Sequence, residues 1–324
     1  MAQSLAELDR FERDKLVDGQ GRTFKIFRRD LKPRFGVVWR DITLGHVGLW
    51  GACAALLLAE RQLPWAWPVL AAVFVFPIAY AIAFISLFFH EAAHYGLAST
   101  RDRNDLLADL FIGSLTGQSI KAYRVVHFDH HRLLGTRRDT ERSYFDALNV
   151  RFVAELLTGI RLVRVVLARR AHVGVRQQHG DASSGARKML ICGLLLNAGI
   201  MGGSALIGSW ALLFAWPIAM LVVHPAINAI RQLLEHRRDD ARSDVDYSSV
   251  DQGVVTRMFG SGPLASTLGG AGFNRHLLHH WEPQLSYTRF RELEAFLLDS
   301  EAAPAVRSVT TTYARAFFKL IKAP

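Results

Sequence analysis

The segment VLAAVFVFPIAYAIAFISLFF at residues 69–89 contains no charged side chain and leads directly into HEAAH at residues 90–94. A helix needs about 20 apolar residues to cross a bilayer core of about 30 Å, so this segment predicts a transmembrane helix that ends in a pair of histidines. Three other stretches are comparably long and also lack Asp, Glu, Lys and Arg: Ile42–Ala59, Met189–Leu206 and Ala211–Ile230. The predicted fold class is therefore all-α, an integral membrane protein with four transmembrane helices.

Short turns connect these four spans in two pairs. Glu60–Pro68 joins the first pair and Ile207–Trp210 joins the second, so we expect two hairpins that each return to their starting side. Of the 39 Lys and Arg residues, Arg61 is the one that falls in these turns. Because cytoplasmic loops are enriched in Lys and Arg, the opposite face is predicted to be cytoplasmic and to carry a helical cap. From Val153 to Leu167, helical apolar spacing with interspersed arginines predicts a helix in the membrane interface.

The net charge of +10 does not indicate a nucleic-acid partner, because the basic residues flank hydrophobic spans without a recognisable nucleic-acid motif. Attraction to membrane lipids of the anionic cytoplasmic leaflet is a sufficient explanation. The two cysteines, Cys53 and Cys192, lie in apolar runs and do not indicate a disulfide scaffold. We expect one domain over residues 1–324, composed of a cytoplasmic N-terminal segment (1–41), the hairpins with a cytoplasmic insertion (42–236) and a cytoplasmic C-terminal part (237–324).

Eight of the 13 histidines form three clusters next to the predicted spans. Residues three and four apart share one face of a helix, so each cluster is predicted to direct its imidazoles to one side. Imidazoles near a membrane boundary are costly to desolvate unless something binds them. Neutral imidazole suits iron, zinc, copper and nickel, and eight ligands exceed the needs of one ion, so two ions are implied. The clusters are His90 and His94; His127, His130 and His131; and His276, His279 and His280.

These clusters and their surroundings resemble the histidine boxes of the membrane-bound fatty acid desaturase superfamily. YRVVHFDHHRLLGTRRD at residues 123–139 is similar to the second box of that family, and NRHLLHHWEPQLSY at residues 274–287 is similar to the third. The resemblance extends from about the first span to Tyr287. It also implies a ninth ligand just after the last span, where this chain has His236.

The resemblance implies a non-haem centre of two Fe ions that uses O2 as co-substrate and electrons from an external donor. The expected product is a double bond in an acyl chain of a lipid or of a carrier-linked substrate. A related membrane hydroxylase or ketolase would use the same centre, so that alternative stays open. Two cysteines cannot build a four-cysteine cluster, and the donor is therefore expected to be a separate electron-transfer protein, ferredoxin-like or cytochrome-like.

Three carboxylates adjoin the histidines in sequence: Glu91, Asp129 and Glu235. Each could accept a hydrogen bond from a ligand imidazole and orient it, although ordinary solvation on a helix surface explains each equally well. The remaining histidines are interpreted without a metal. His46 and His224 lie in spans and would bond neighbouring helices, while His172 and His179 lie in a basic stretch and would be solvated.

Two other functions compete with oxidation. HEAAH at residues 90–94 also fits the H-E-x-x-H signature of zinc proteases, with Glu91 as the base. A protease needs one further ligand and would leave most of the other histidines without a role. A metal transporter would require acidic residues in mid-membrane, which the predicted spans lack. Acyl-chain desaturation at a di-iron centre on the cytoplasmic side is therefore the favoured interpretation.

Overall fold

The structure is a computed structural model that describes residues 3–176, 181–247 and 255–322. Within these ranges the protein is helical and has no β-strand, which confirms the all-α prediction. The α-helices are α1 (Gln3–Leu8), α2 (Phe24–Arg29), α3 (Phe35–Gln62), α4 (Trp67–Ala93), α5 (Arg101–Ala108), α6 (Ser114–Thr116), α7 (Ile120–Leu133), α8 (Val150–Leu157), α9 (Ile160–Arg176), α10 (Asp181–Leu206), α11 (Trp210–Ile218), α12 (His224–His236), α13 (Pro263–Leu268), α14 (His276–Trp281), α15 (Phe290–Leu298), α16 (Ala303–Ser308) and α17 (Tyr313–Lys322).

Four helical segments of the described chain are long and apolar enough to cross a membrane, and each contains one of the predicted spans. They are longer than the charge-free runs because the helices continue into polar sequence at their ends. The pairing of the spans as hairpins and the cytoplasmic cap stay predictions. The four segments are Phe35–Gln62, Pro64–Ala93, Ser184–Leu206 and Trp210–His236.

The chain divides into two compact units. The first, the span unit, comprises residues 39–127 and 150–229, and the second, the terminal unit, comprises residues 1–38, 128–149 and 230–324. The division falls inside the continuous helices α3, α7 and α12.

In the span unit, α4 packs closely against α11. Ala211, Ala215 and Ala219 repeat every fourth residue along this part of the chain and are completely buried. Small side chains let helix backbones approach closely, which is how transmembrane helices gain packing energy in lipid. Helix α4 buries large aliphatic side chains such as Ile78 and Ile82. The pattern explains why these two helices form the core of the unit.

The fourth span is not a regular α-helix throughout, because residues Ala219–Val223 form a π-helical turn between α11 and α12. Pro225 has no N–H group, so the carbonyl of Leu221 cannot receive the usual bond from four residues ahead. A second π-helical turn, Asp109–Gly113, connects α5 to α6. The charge-free sequence predicted the span but not these local changes of helical pitch.

Two turns of the span unit meet at Glu60, which is buried near the end of α3. Its carboxylate accepts a short hydrogen bond from Ser209 Oγ and a bond of 2.8 Å from the backbone N–H of Ala211. Ala211 lies in the first turn of α11, where N–H groups lack helical partners. Glu60 therefore caps the start of the fourth span from the end of the first.

The predicted single interfacial helix is instead two helices, α8 and α9. They are separated at Gly159, whose φ of +72° lies in the left-handed region, and a Cβ there would lie 3.2 Å from the carbonyl oxygen of Leu221. The prediction of one helix was wrong because the helical spacing of apolar residues continues across Gly159, whereas the backbone leaves the helical conformation there. The apolar side chains at Val153, Leu157 and Val163 are exposed, as an interfacial location requires.

The terminal unit is built around an aromatic core. Phe24 and Phe27 of α2 pack against Phe296 of α15, with ring centroids 5.6 and 4.5 Å apart. Phe24 also contacts Trp281, which ends α14 and is completely buried. This core fixes α14, the helix that carries the third histidine cluster.

Candidate metal centre

The first group of histidines lies in the span unit, where α4 and α7 bring three imidazoles together. His90 lies in the last turn of α4, and His94 directly follows the helix. The Nε2 atoms of His94 and His127 are 2.9 Å apart, and the His90 and His127 rings lie with centroids 4.4 Å apart. One ring nitrogen from each of the three residues lies within 4.8 Å of the others. The first box and the first member of the second box therefore converge.

The second group lies in the terminal unit and contains the six other predicted ligands. His276 Nε2 lies 2.8 Å from His236 Nε2 and 3.1 Å from His280 Nε2. His131 and His279 form another pair, with their Nε2 atoms 2.8 Å apart. Ring nitrogens of His130, His236 and His280 also lie within 4.8 Å of one another. The rest of the second box, the third box and His236 thus come together in one unit.

These separations fit coordination of a transition metal. Metal–imidazole bonds of about 2.0–2.1 Å place neighbouring ligand nitrogens about 3 Å apart when they bind at right angles, close to the observed 2.8–3.1 Å. A set of imidazoles with no hard oxygen ligand suits iron, zinc, copper or nickel better than calcium or magnesium. The residues present can therefore hold the metal that their sequence pattern indicates.

The surroundings also favour the protonation state that metal binding needs. Loss of hydration lowers the pKa of His94 well below its usual value, and the nearby His127 and Arg124 lower it further. Burial likewise lowers the pKa of His280, with added effects from the neighbouring imidazoles, first His131 and then His276. A neutral imidazole keeps the lone pair that a metal ion requires.

Asp139 is a functional candidate that sequence reasoning missed. Its carboxylate lies 2.8 Å from His130 Nδ1 and receives a short hydrogen bond from the Tyr144 hydroxyl. Burial and the charge of Asp139 raise the pKa of Tyr144 well above its usual value, so the phenol stays protonated and donates. A carboxylate can only accept, so His130 donates through Nδ1 and offers Nε2 as its ligand atom. The one sequence signal was the position of Asp139 at the end of the second-box stretch.

The three carboxylates singled out from the sequence have different surroundings. Asp129 accepts a hydrogen bond of 2.9 Å from Arg132, and Glu235 forms an ion pair of 3.3 Å with Arg231. Glu91 is buried against Gly96, where any Cβ would clash with its carboxylate. Their role in orienting imidazoles stays a prediction.

Two of the histidines interpreted as structural, His46 and His224, have hydrogen-bonding partners outside the two groups. His46 Nε2 donates to the carbonyl of Phe111 at 2.9 Å, and His224 Nε2 lies 2.8 Å from the Asn228 amide nitrogen. Both interactions are within the span unit. His179 and the side chain of His172 lie outside the residues and side chains that the structure describes.

Comparison with known families matches this chain to the fatty acid desaturase family over residues 64–312, a range that includes all nine predicted ligands. The chain belongs to the fatty acid desaturase family. No curated protein matches it. Members of this family are oxidoreductases that typically use iron, and both histidine groups are compatible with that metal.

In this desaturase-family chain, buried arginines bind the C-terminal ends of α4 and α12, two of the helices that carry predicted ligand histidines. At the end of α4, Arg124 donates to the carbonyls of Ala93 at 2.9 Å and Ala92 at 3.2 Å, and it pairs with Asp105. Its guanidinium also lies over the ring of Tyr95, 4.1 Å from the centroid. The last carbonyls of a helix lack backbone partners and favour a cation. Arg124 thus holds the backbone between His90 and His94.

Arg257 has the corresponding position at the end of α12. It donates to the carbonyl of Leu234 at 2.7 Å and makes a short bond to the carbonyl of Arg237, on either side of His236. Asp239 pairs with it at 2.6 Å. The role of these two guanidinium groups can be identified only in the folded protein, because the carbonyls that they bind are distant in sequence. Arg124 lies 31 and 32 residues from its two carbonyls, and Arg257 lies 20 and 23 residues from its own.

Replacing Arg124 with glutamine is expected to lower both stability and metal content. The substitution removes the charge-assisted bonds and leaves Asp105 largely buried without its cation, a loss of about 3 kcal/mol or more. Thermal unfolding in detergent and metal analysis of the purified protein measure the two effects.

Arg101→Gln is the matched control for this experiment, because Arg101 also contacts Tyr95 but is exposed. We expect the control variant to unfold and bind metal like the unmodified protein. If the Arg124 variant contained as much metal as the unmodified protein, the bonds from Arg124 to the end of α4 would not be needed to position the histidines.

Proposed function

We propose that this chain is an oxygen-dependent desaturase that introduces a double bond into an acyl chain of a lipid or carrier-linked substrate. The observation that carries the proposal is that nine imidazoles lie in two close groups, in a chain of the fatty acid desaturase family. Nine ligands are too many for one ion. The proposed centre therefore contains two iron ions, held by His90, His94, His127, His130, His131, His236, His276, His279 and His280.

When bound, the two iron ions would supply oxidation of an unactivated C–H bond: O2, two electrons and two protons would be consumed, two hydrogens would be removed from adjacent methylenes, and two water molecules would be released. The protein's own task is to position these ions and to exclude water. Asp139 orients His130 by accepting a hydrogen bond from its Nδ1–H group. Burial of His127, His130 and His276 keeps bulk water away from the ligand nitrogens.

We further propose that the whole chain acts as one multi-pass membrane domain with its active site on the cytoplasmic side. The charge asymmetry of the turns supports this orientation, because Arg61 is the one basic residue within them. Electrons would come from a separate ferredoxin-like or cytochrome-like protein, since Cys53 and Cys192 cannot build an iron–sulfur cluster of their own.

The decisive experiment compares lipids from cells that express the unmodified chain with lipids from cells that express His130→Ala. Mass spectrometry should find an acyl chain lighter by two hydrogens with the active chain, and the variant should lack it because a ligand has been removed. Equal protein levels in the membrane fraction are the required control.

Other products would identify the rival functions. An acyl chain that has gained one oxygen would indicate a hydroxylase, and a ketone would indicate a ketolase. One zinc ion per purified chain, with no lipid product, would indicate the protease suggested by His90, Glu91 and His94.

A further inference from the structure

A groove of about 500 Å³ lies in the span unit between α3, the segment around Phe111 and α10. Trp39, Thr43, His46 and Trp50 line it from one face of α3, and Leu196 lines it from α10. Trp50 and Phe111 are exposed along it. Its volume is within the range of sites that bind small molecules. The groove is separate from the histidine groups described above.

The hydrogen bonds of the lining residues determine what the groove can bind. Trp39 Nε1 donates to the carbonyl of Leu97 at 3.0 Å, and Ser114 Oγ donates to the carbonyl of Leu110 at 2.6 Å. His46 Nε2 donates to the carbonyl of Phe111 at 2.9 Å, within a π-helical turn. These polar groups are already engaged inside the protein, so the groove presents mainly aromatic and aliphatic surface. Such a surface favours an apolar ligand over a polar or charged one.

The surroundings and the length of the groove further restrict the kind of ligand that it can bind. α3 and α10 both contain segments apolar enough to cross a membrane, and only 11% of the α10 segment is buried within the protein. In a membrane, an apolar helix face that is not covered by protein borders lipid. From Trp39 to Trp50 the helix rises about 16 Å, close to the roughly 15 Å of hydrocarbon in one leaflet of a bilayer. One acyl chain has this length and this chemistry.

We propose that this groove binds one acyl chain of a bilayer phospholipid. The chain would lie along α3 against Trp39, Phe111 and Trp50. Trp39 bonds to Leu97, which lies three residues beyond His94, so one end of the bound chain would lie near the segment that follows the first histidine box. Binding of a lipid chain in this groove does not depend on the proposed desaturation reaction.

The test uses the full-length protein in vesicles of phosphatidylethanolamine and phosphatidylglycerol that contain a trace of phosphatidylethanolamine with a diazirine in one acyl chain. After illumination, mass spectrometry maps the adducts. We expect enrichment on residues 39–50 and 110–115 over Ile191, Leu194 and Leu195, which are exposed on α10. Adducts spread evenly over all exposed apolar residues would overturn the proposal, and this comparison needs no variant.

Two tryptophan substitutions on α10 provide the matched variants. Leu196→Trp fills the groove and should reduce the enriched adducts about tenfold. Leu194→Trp adds the same side chain at an exposed position outside the groove and should leave them unchanged. If Leu196→Trp left the labelling of residues 39–50 and 110–115 unchanged, the proposal that the lipid chain binds in this groove would be contradicted. Enrichment with a photoactivatable free fatty acid but not with the phospholipid would contradict the proposed source of the chain.

Discussion

Replacing His236 with alanine is expected to remove much of the iron that we propose binds to this chain, and to abolish product formation. The side chain is almost completely buried, and its Nε2 atom lies 2.8 Å from that of His276. Loss of a partner outside the ligand shell costs about 10- to 100-fold in metal affinity or activity, so loss of a direct ligand should cost at least about 100-fold. Metal analysis of the purified protein and lipid mass spectrometry measure the two effects.

His224→Ala is the control, because His224 begins the helix that His236 ends. It is also buried, and it contacts Asn228 and Ser86. We expect this variant to retain its iron. If both variants lost iron equally, the loss would reflect damage to α12, and His236 would not be the ninth ligand.

Asp139→Asn should produce the next largest effect. The amide is neutral and can present its NH2 group to the imidazole, so it no longer enforces the tautomer in which His130 offers Nε2. We expect metal affinity to fall about 10- to 100-fold, measured by competition with a chelator. Tyr144→Phe should have a smaller effect, because it removes the donor to Asp139 and leaves the bond from His130 in place.

Asp18→Asn tests whether any buried aspartate of the terminal unit would give the same result. Asp18 is 7% exposed and accepts bonds from Arg22, with no histidine among those partners. This variant should bind metal as tightly as the unmodified protein. An Asp139 variant with unchanged metal affinity would remove the orienting role assigned to that carboxylate.

The spans and the ligand histidines could be predicted because both depend on short-range patterns. Length and apolarity are properties of a continuous stretch such as residues 69–89, and residues such as His276, His279 and His280 share a helix face through spacing alone. The π-helical turn at Ala219–Val223 and the break at Gly159 could not be predicted in this way. They depend on backbone geometry and on contacts such as the one between Gly159 and Leu221.

The groups that support the ligands were also hidden in the sequence. In the sequence, Arg124 and Arg257 cannot be distinguished from the other basic residues of this chain, because their partners are backbone carbonyls, which every residue has. Asp139 was one of several carboxylates near histidines, and adjacency in sequence selected Glu91, Asp129 and Glu235 instead. A contact nine residues away, like that between His130 and Asp139, depends on the path of the loop that follows α7.

The buried Glu60 has a consequence for the biogenesis of the protein. Its partners, Ser209 and Ala211, emerge from the ribosome 149 and 151 residues later. Until then the nascent first span ends in a carboxylate that must stay hydrated, since burying it without its partners would be costly. The contacts that complete the end of α3 therefore form only after the start of the fourth span has been synthesised. A nascent chain that stalled before that point would present an incomplete helix bundle to membrane quality control.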